Sequence, residues 1–225
     1  MTNPDRTLIA ILLDRSGSMQ TIKSDTEGGF DAYIEQQREV PKQIEVTLAQ
    51  FDTEYELVYA NRPLAQVPNL RLQPRGMTAL YDAVGRLITD VGAELAARRE
   101  EDRPSTVIVV VLTDGHENSS REWSHPDVRS LITQQQEAWN WTFLFLGANM
   151  DAVAIGTDLG FAPGSSITYS AGSEGVSGVF SAASAYSARL QSAPGSTGSD
   201  DADTPSFMRR TGFTDEERHR SNPGS

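Results

Sequence analysis

Thr7-Leu-Ile-Ala-Ile-Leu-Leu-Asp14 leads straight into Arg15-Ser-Gly-Ser-Met19. A near-continuous apolar run of this length reads as a strand buried on both faces, as in a parallel sheet covered by helices. Ser105-Thr-Val-Ile-Val-Val-Val-Leu-Thr-Asp114 and Trp141-Thr-Phe-Leu-Phe-Leu-Gly147 have the same character. Ile44 to Phe51 alternates more, and Tyr55 to Tyr59 follows a tight turn at Asp52-Thr53. That pair predicts a hairpin, with one antiparallel strand at an edge. Ser166-Ile-Thr-Tyr169 is a weaker last strand and brings the number to six.

Helical patterns lie between the strands. Ser24 and Glu27 have the spacing of a capping box before Phe30 and Ile34. Leu80, Val84, Leu87, Ile88, Val91 and Leu95 recur on one helical face. Ser124 and Asp127 predict an N-terminal cap ahead of Val128, Leu131 and Ile132. Val176, Val179, Phe180, Ala183 and Leu190 mark a final helix. Alternation of strands and helices predicts an α/β domain with a mostly parallel sheet.

The composition changes after Leu190. Residues 1–190 are expected to form one domain. Residues 191–205, rich in Ser, Gly, Pro, Ala and Asp, read as a flexible linker. The tail, 206–225, regains Phe207, Met208 and Phe213 beside Thr214-Asp-Glu-Glu217, with a capping box at Thr214 and Glu217. Apolar anchors beside acids form a short docking motif, for this domain or for another protein.

The 225-residue chain is long enough to bury a full core, and it has no cysteine for disulfides or thiolate chemistry. Its net charge of −12 repels phosphate backbones, so nucleic acid is not an expected partner. Leu8 to Leu13 is too short to span a bilayer, and no signal-peptide pattern precedes it. A cytoplasmic protein without a membrane partner is expected. No Walker A sequence, no Gly-x-Ser-x-Gly elbow and no EF-hand loop is present.

The chemistry concentrates on five residues. Asp14, Ser16 and Ser18 stand on a turn at the carboxyl edge of the first strand. Asp114 ends another strand and reaches an edge of the same kind. Ligands of open α/β sheets sit outside such strand ends. Thr78 lies in Arg75-Gly-Met-Thr-Ala-Leu80, just before a strongly amphipathic helix, and Gly76 permits a tight loop there. Carboxylates and hydroxyls are hard donors, suited to Mg²⁺, Mn²⁺ or Ca²⁺ rather than Zn²⁺. The competing reading of Asp14-Arg-Ser-Gly-Ser18 is a polar turn that caps a helix. Thr78 and Asp114 in register weigh against it. His116, Glu117 and Asn118, with Gly76 and Met77, are candidates for a ligand-facing rim; the competing reading of the first three is a solvated loop. His125, Trp139 and Trp141 read as capping or core residues, and Asn149 and Asp151 as caps or orienting groups.

The set Asp14-x-Ser16-x-Ser18, Thr78 and Asp114 resembles the metal-ion-dependent adhesion site of von Willebrand factor A domains, over roughly Thr7 to Leu190. The resemblance implies a doubly wound sheet with helices on both faces and one antiparallel edge strand. It implies that the serines and the threonine bind Mg²⁺ directly, and the aspartates directly or through water. It also implies a protein ligand that supplies an Asp or Glu carboxylate. Stand-alone bacterial and bacteriophage members have this compact form. The main expectation is therefore a Mg²⁺-dependent protein-binding module without enzymatic activity. One alternative is a non-catalytic subunit working with a separate ATPase, in a chelatase-like or stress-response assembly. The other is a metal-assisted hydrolase, for which only His116 and Glu117 offer a general base.

Overall fold

The computed structural model describes residues 2–162, 164–192 and 212–223. The six strands are β1 (Asn3–Asp14), β2 (Gln43–Phe51), β3 (Tyr55–Pro63), β4 (Pro104–Thr113), β5 (Thr142–Ala148) and β6 (Ser166–Tyr169). They form one sheet in the order β3-β2-β1-β4-β5-β6. Only β3 runs antiparallel, against β2 at the edge. Every other neighbouring pair is parallel. The helices are α1 (Lys23–Gln37), α2 (Leu80–Ala97), α3 (His125–Trp139), α4 (Ala152–Asp158), α5 (Ser173–Ser192) and α6 (Asp215–Ser221).

Successive side chains of a strand point to opposite faces, so an unbroken apolar strand feeds two cores. Ile9, Ile11 and Leu13 of β1 pack with Phe30, Tyr33 and Ile34 of α1 and Val176, Val179 and Phe180 of α5. Leu8, Ala10 and Leu12 pack on the other face, with Leu80, Val84, Leu87, Ile88, Val91 and Leu95 of α2 and Val128 and Ile132 of α3. Both faces of the sheet are therefore covered. Burying each of these large side chains contributes about 1.5–3 kcal/mol. The chain winds left from β1 through β2 to β3, then right from β4 to β6. The crevice where strand order reverses, the place for a ligand in such sheets, thus lies between the carboxyl ends of β1 and β4.

Ends of elements depart from expectation more than their centres. Ser24 and Glu27 do not form a capping box. Residues 17–22 form a 3-10 turn that runs directly into α1, so Ser24 is already inside the helix and no side chain caps it. Glu27 instead accepts the backbone N–H of Leu72 at 2.8 Å, and Asp31 that of Leu70 at 2.8 Å. The predicted cap at Ser124/Asp127 forms, and is a full capping box, as is the predicted box at Thr214/Glu217. Trp139 is not a core residue: it is 61 % exposed at the end of α3, where Asn140 turns the chain through φ 56°. Trp141 is buried. Asp151 caps α4 by accepting from the Ala154 N–H, and the Asn149 side chain accepts the Ala171 N–H.

The C-terminal segment lies along the free side of β6. Phe213 is buried against Tyr186 of α5, with ring centroids 5.0 Å apart. Arg218 donates to the carbonyls of Ser166 and Gly164 at 2.8 and 3.1 Å, and the Ser170 N–H donates to the Ser221 carbonyl at 3.0 Å. These bonds occupy backbone groups that an edge strand otherwise leaves open. Phe207, Met208 and most of the predicted linker lie outside the described residues. Among the described residues no helix is long and apolar enough to cross a membrane.

Candidate metal centre

Three loops meet at the crevice between β1 and β4. The first follows β1 and carries Asp14, Ser16 and Ser18. The Asp14 carboxylate turns back on its own loop, accepting the Ser16 N–H at 2.6 Å through one oxygen and the Thr113 hydroxyl at 2.6 Å through the other. The Ser16 and Ser18 hydroxyls are 3.0 Å apart. Ser18 donates to Asp114 at 2.6 Å, which ties the first loop to the end of β4. The second loop brings Thr78. A Cβ on Gly115 would lie 2.7 Å from the Thr78 hydroxyl oxygen and 3.6 Å from an Asp14 oxygen. Those two groups therefore converge on a space that only glycine leaves open there. The structure brings all five residues singled out from the sequence to one place.

Burial shapes the electrostatics. Asp14 is fully buried, and burial pushes its carboxyl from 3.8 up to about 6 against the hydrogen bonds from Thr113 and Ser16, with Asp114 adding repulsion. Burial also raises Asp114, opposed by the Ser18 bond. Tyr169, wholly buried, has its hydroxyl pushed well up by burial and by the nearby charges of Asp114 and Asp14, and among the described residues that hydroxyl has no hydrogen-bond partner. Two crowded, desolvated carboxylates and three hydroxyls fit a hard divalent cation, which would relieve their repulsion. Among the described residues no three His, Cys, Asp or Glu side chains gather as a metal cluster. The donor set is instead a mixed one, with hydroxyls in the majority.

The rim candidates separate. Met77 is 51 % exposed beside Thr78, Gly76 is exposed with φ +68°, and His116 is exposed. Glu117 is half-buried and turned to the scaffold, whereas Asn118 is exposed like His116 but has its side chain bonded to the Thr78 loop. Glu117 accepts from the N–H groups of Tyr81, Ser119 and Ser120 at 2.9, 2.9 and 2.8 Å and from the Ser120 hydroxyl at 2.7 Å. Asn118 and Thr78 exchange bonds: the Thr78 N–H donates to the Asn118 side chain at 2.9 Å and the Asn118 N–H to the Thr78 carbonyl at 3.0 Å. This pair fixes where Thr78 sits.

Sequence reading passed over the groups that join the loops. Arg15 is buried and donates to Asp52, as does Arg75, so the turn after β2 belongs to the site's framework. The available signal was positional: Asp52 follows β2, the strand next to β1, at the same carboxyl edge. Thr113, the last residue of β4 and immediately before Asp114, carries the same positional signal.

With the geometry in place, the solved structures decide the fold. Proximal thread matrix protein 1 from the mussel byssus aligns with 83 % of this chain at a TM-score of 0.58 and 11 % identity. A von Willebrand factor type A protein from Catenulispora acidiphila aligns with 82 % at a TM-score of 0.57 and 17 % identity. The von Willebrand factor domain of the type V pili tip protein Mfa5 from Porphyromonas gingivalis aligns with 80 % at a TM-score of 0.53 and 10 % identity. The chain has the von Willebrand factor A fold. It spans 47 % of the mussel chain and 43 % of the Catenulispora chain, but 94 % of the Mfa5 domain. Comparison with protein-family models and with curated proteins gives no match. One structure of the mussel protein has its metal-ion-dependent adhesion site occupied by zinc. That is a property of the mussel protein.

Proposed function

We propose that this von Willebrand factor A-fold domain binds Mg²⁺ through Ser16, Ser18, Thr78, Asp14 and Asp114, and through the ion a carboxylate of a protein partner. The observation that carries this reading is the convergence of five hard oxygen donors from three loops at the sheet's switch point, two of them carboxylates that crowd each other. When bound, the cation supplies an electrophilic position for an acidic ligand group. The chain's own residues hold the donors and set the rim: exposed Met77, Gly76 and His116 meet the partner, while Glu117 and Asn118 orient the Thr78 loop. A binding role without catalysis is preferred. Glu117, one of two candidate bases, has its carboxylate filled by four donors, and such a group is poorly placed to accept a substrate proton.

The test is a melting experiment with and without Mg²⁺ or Mn²⁺. A ligand at about 100 times its Kd stabilises the folded state by about 2.7 kcal/mol. The rise in Tm is expected in the wild type and absent in Ser16→Ala and Thr78→Ala, both folded. An equal rise in all three proteins refutes the assignment. A captured partner must then lose binding in EDTA, with Asp14→Ala, and when its own contacting acid is replaced.

A further inference from the structure

We infer that Asp52 is a positioning residue for the metal centre: one of its carboxylate oxygens clamps the loop that bears Ser16 and Ser18 to the loop that bears Thr78. The inference rests on the proposed cation site and assigns to it a group that is not itself a ligand. Asp52 is 2 % exposed at the start of the β2–β3 turn. Its Oδ2 accepts from Arg15 Nε and from Arg75 Nε, each at 2.8 Å. Its Oδ1 accepts the Glu54 N–H at 2.9 Å, which fixes the carboxylate plane. Arg15 stands between Asp14 and Ser16, and Arg75 three residues before Thr78. A single oxygen thus bridges guanidinium groups from the two loops that supply all three hydroxyl donors.

The backbone repeats the connection. The Arg15 N–H donates to the Phe51 carbonyl at 2.7 Å and the Ala79 N–H to the Asp52 carbonyl at 2.9 Å. The Arg75 N–H donates to the Arg15 carbonyl at 2.8 Å and the Gly17 N–H to the Gly76 carbonyl at 3.3 Å. The Met77 N–H reaches the Thr53 hydroxyl at 3.1 Å. Glu56 and Glu54 hold the outer nitrogens of Arg15 and Arg75. Burial pushes the Asp52 carboxyl up, but Arg75, the Glu54 N–H and Arg15 outweigh it and hold the carboxyl below its ordinary range. Asp52 is therefore ionised at neutral pH and its charge is spent on the two arginines. The hydroxyl donors are held at fixed separation before any cation arrives.

Positioning and simple electrostatics predict opposite results for one variant. Arg75 is 58 % exposed on its side chain, so Arg75→Ala should fold. Removing a positive charge beside a cation site tightens cation binding if charge alone matters. Removing a tether loosens the Thr78 loop and weakens it. Mg²⁺ demands near-ideal octahedral geometry whereas Ca²⁺ tolerates irregular sites, so loosened donors cost Mg²⁺ more than Ca²⁺.

The experiment is calorimetric titration of the full chain with Mg²⁺, Mn²⁺ and Ca²⁺, in wild type, Asp52→Asn, Arg75→Ala and Ser16→Ala, with amide exchange followed in EDTA. Loss of an outer partner of a metal site typically weakens binding about 10–100-fold. Asp52→Asn is expected to weaken Mg²⁺ within that range, Arg75→Ala more modestly, with a smaller loss for Ca²⁺ in both. The Gly17, Arg75 and Ala79 amides should exchange faster in both variants. Wild-type or tighter Mg²⁺ binding by Arg75→Ala overturns the clamp. So does an equal loss of Mg²⁺ and Ca²⁺ with unchanged exchange at those amides. If the wild type binds no divalent cation, or Ser16→Ala binds as well as wild type, the metal reading fails first and the clamp falls with it.

Discussion

Asp14 carries two opposing demands. As a buried carboxylate it offers charge to a cation, yet burial that pushes its carboxyl from 3.8 to about 6 also makes its ionisation costly to the fold. A carboxyl whose folded-state pKa is raised favours the fold fully only below the unfolded value; that contribution is lost as pH rises through the folded one. The window here runs from 3.8 to about 6, so at pH 7 the cost is complete in the metal-free protein. Asp14→Asn removes the charge; its one oxygen keeps an acceptor for the Ser16 N–H, and its NH2 can donate to the Thr113 hydroxyl oxygen in place of the bond it loses. In EDTA at pH 7 the variant should be more stable than wild type by roughly 1–3 kcal/mol, from the conversion of a pKa shift to free energy. The added stability should vanish near pH 4, and metal-induced stabilisation should be absent. Denaturant titrations at the two pH values measure this, and an Asp14→Asn variant less stable than wild type at pH 7 would contradict it.

Among the elements, what was legible in the sequence is what one strand or helix encodes alone. The runs ending at Asp14 and Asp114 showed buried strands because both of their faces are apolar, and the 3.6-residue spacing of Leu80 to Leu95 showed α2 because its apolar face meets the sheet. The five residues that meet at the crevice could be picked out because each stands next to such an element. The Asp52 link was not: its partners lie 37 and 23 residues away, and nothing local marks a carboxylate as a bridge. The start of α1 departs from expectation for a related reason, since the preceding 3-10 turn runs directly into the helix and places Ser24 inside it. Adjacent glycines in α1 show how little local sequence says about packing. Space is open around Gly28, whereas a Cβ on Gly29 would lie 2.3 Å from the Phe180 ring of α5. Helix propensity alone favours alanine over glycine by about 1 kcal/mol at both positions. Gly28→Ala should therefore stabilise the protein by about 0.5–1 kcal/mol. Gly29→Ala should destabilise it by about 1–3 kcal/mol, because a packed aromatic ring must move. Chemical denaturation of both variants checks the contrast in sign.

At the scale of the molecule, the two ends of the sheet are treated differently. Among the described residues β3 is a free edge with Leu57 and Val58 exposed, whereas β6 is covered by α6. The cover is anchored by Phe213 against Tyr186 and by Glu217, whose two oxygens take both terminal nitrogens of Arg189 at 2.6 and 3.1 Å. Glu217 also accepts the Thr214 N–H at 2.7 Å, so the same carboxylate closes the helix cap and pins the helix to α5. Burial pushes this carboxyl up, but Arg189 and Thr214 prevail and hold it below 4.5. A carboxyl with a lowered folded-state pKa contributes stability that is present above the unfolded value and lost as pH falls through the folded one. The cover should therefore be secure at pH 7 and loosen below 4.5. Its release exposes two specific amides, those of Ser170 and Phe213, which donate to the Ser221 and Gly164 carbonyls. Amide exchange at these positions, corrected for the intrinsic pH dependence, should lose protection in acid before the amides of β1 and β4 do, because local opening costs less than global unfolding. Glu217→Gln keeps the shape but weakens the charged bonds, so its protection should already be reduced at pH 7 and should change little on acidification. If wild type and Glu217→Gln lose protection in parallel through the same pH range, the carboxylate is not what holds the cover, and the burial of Phe213 carries it alone.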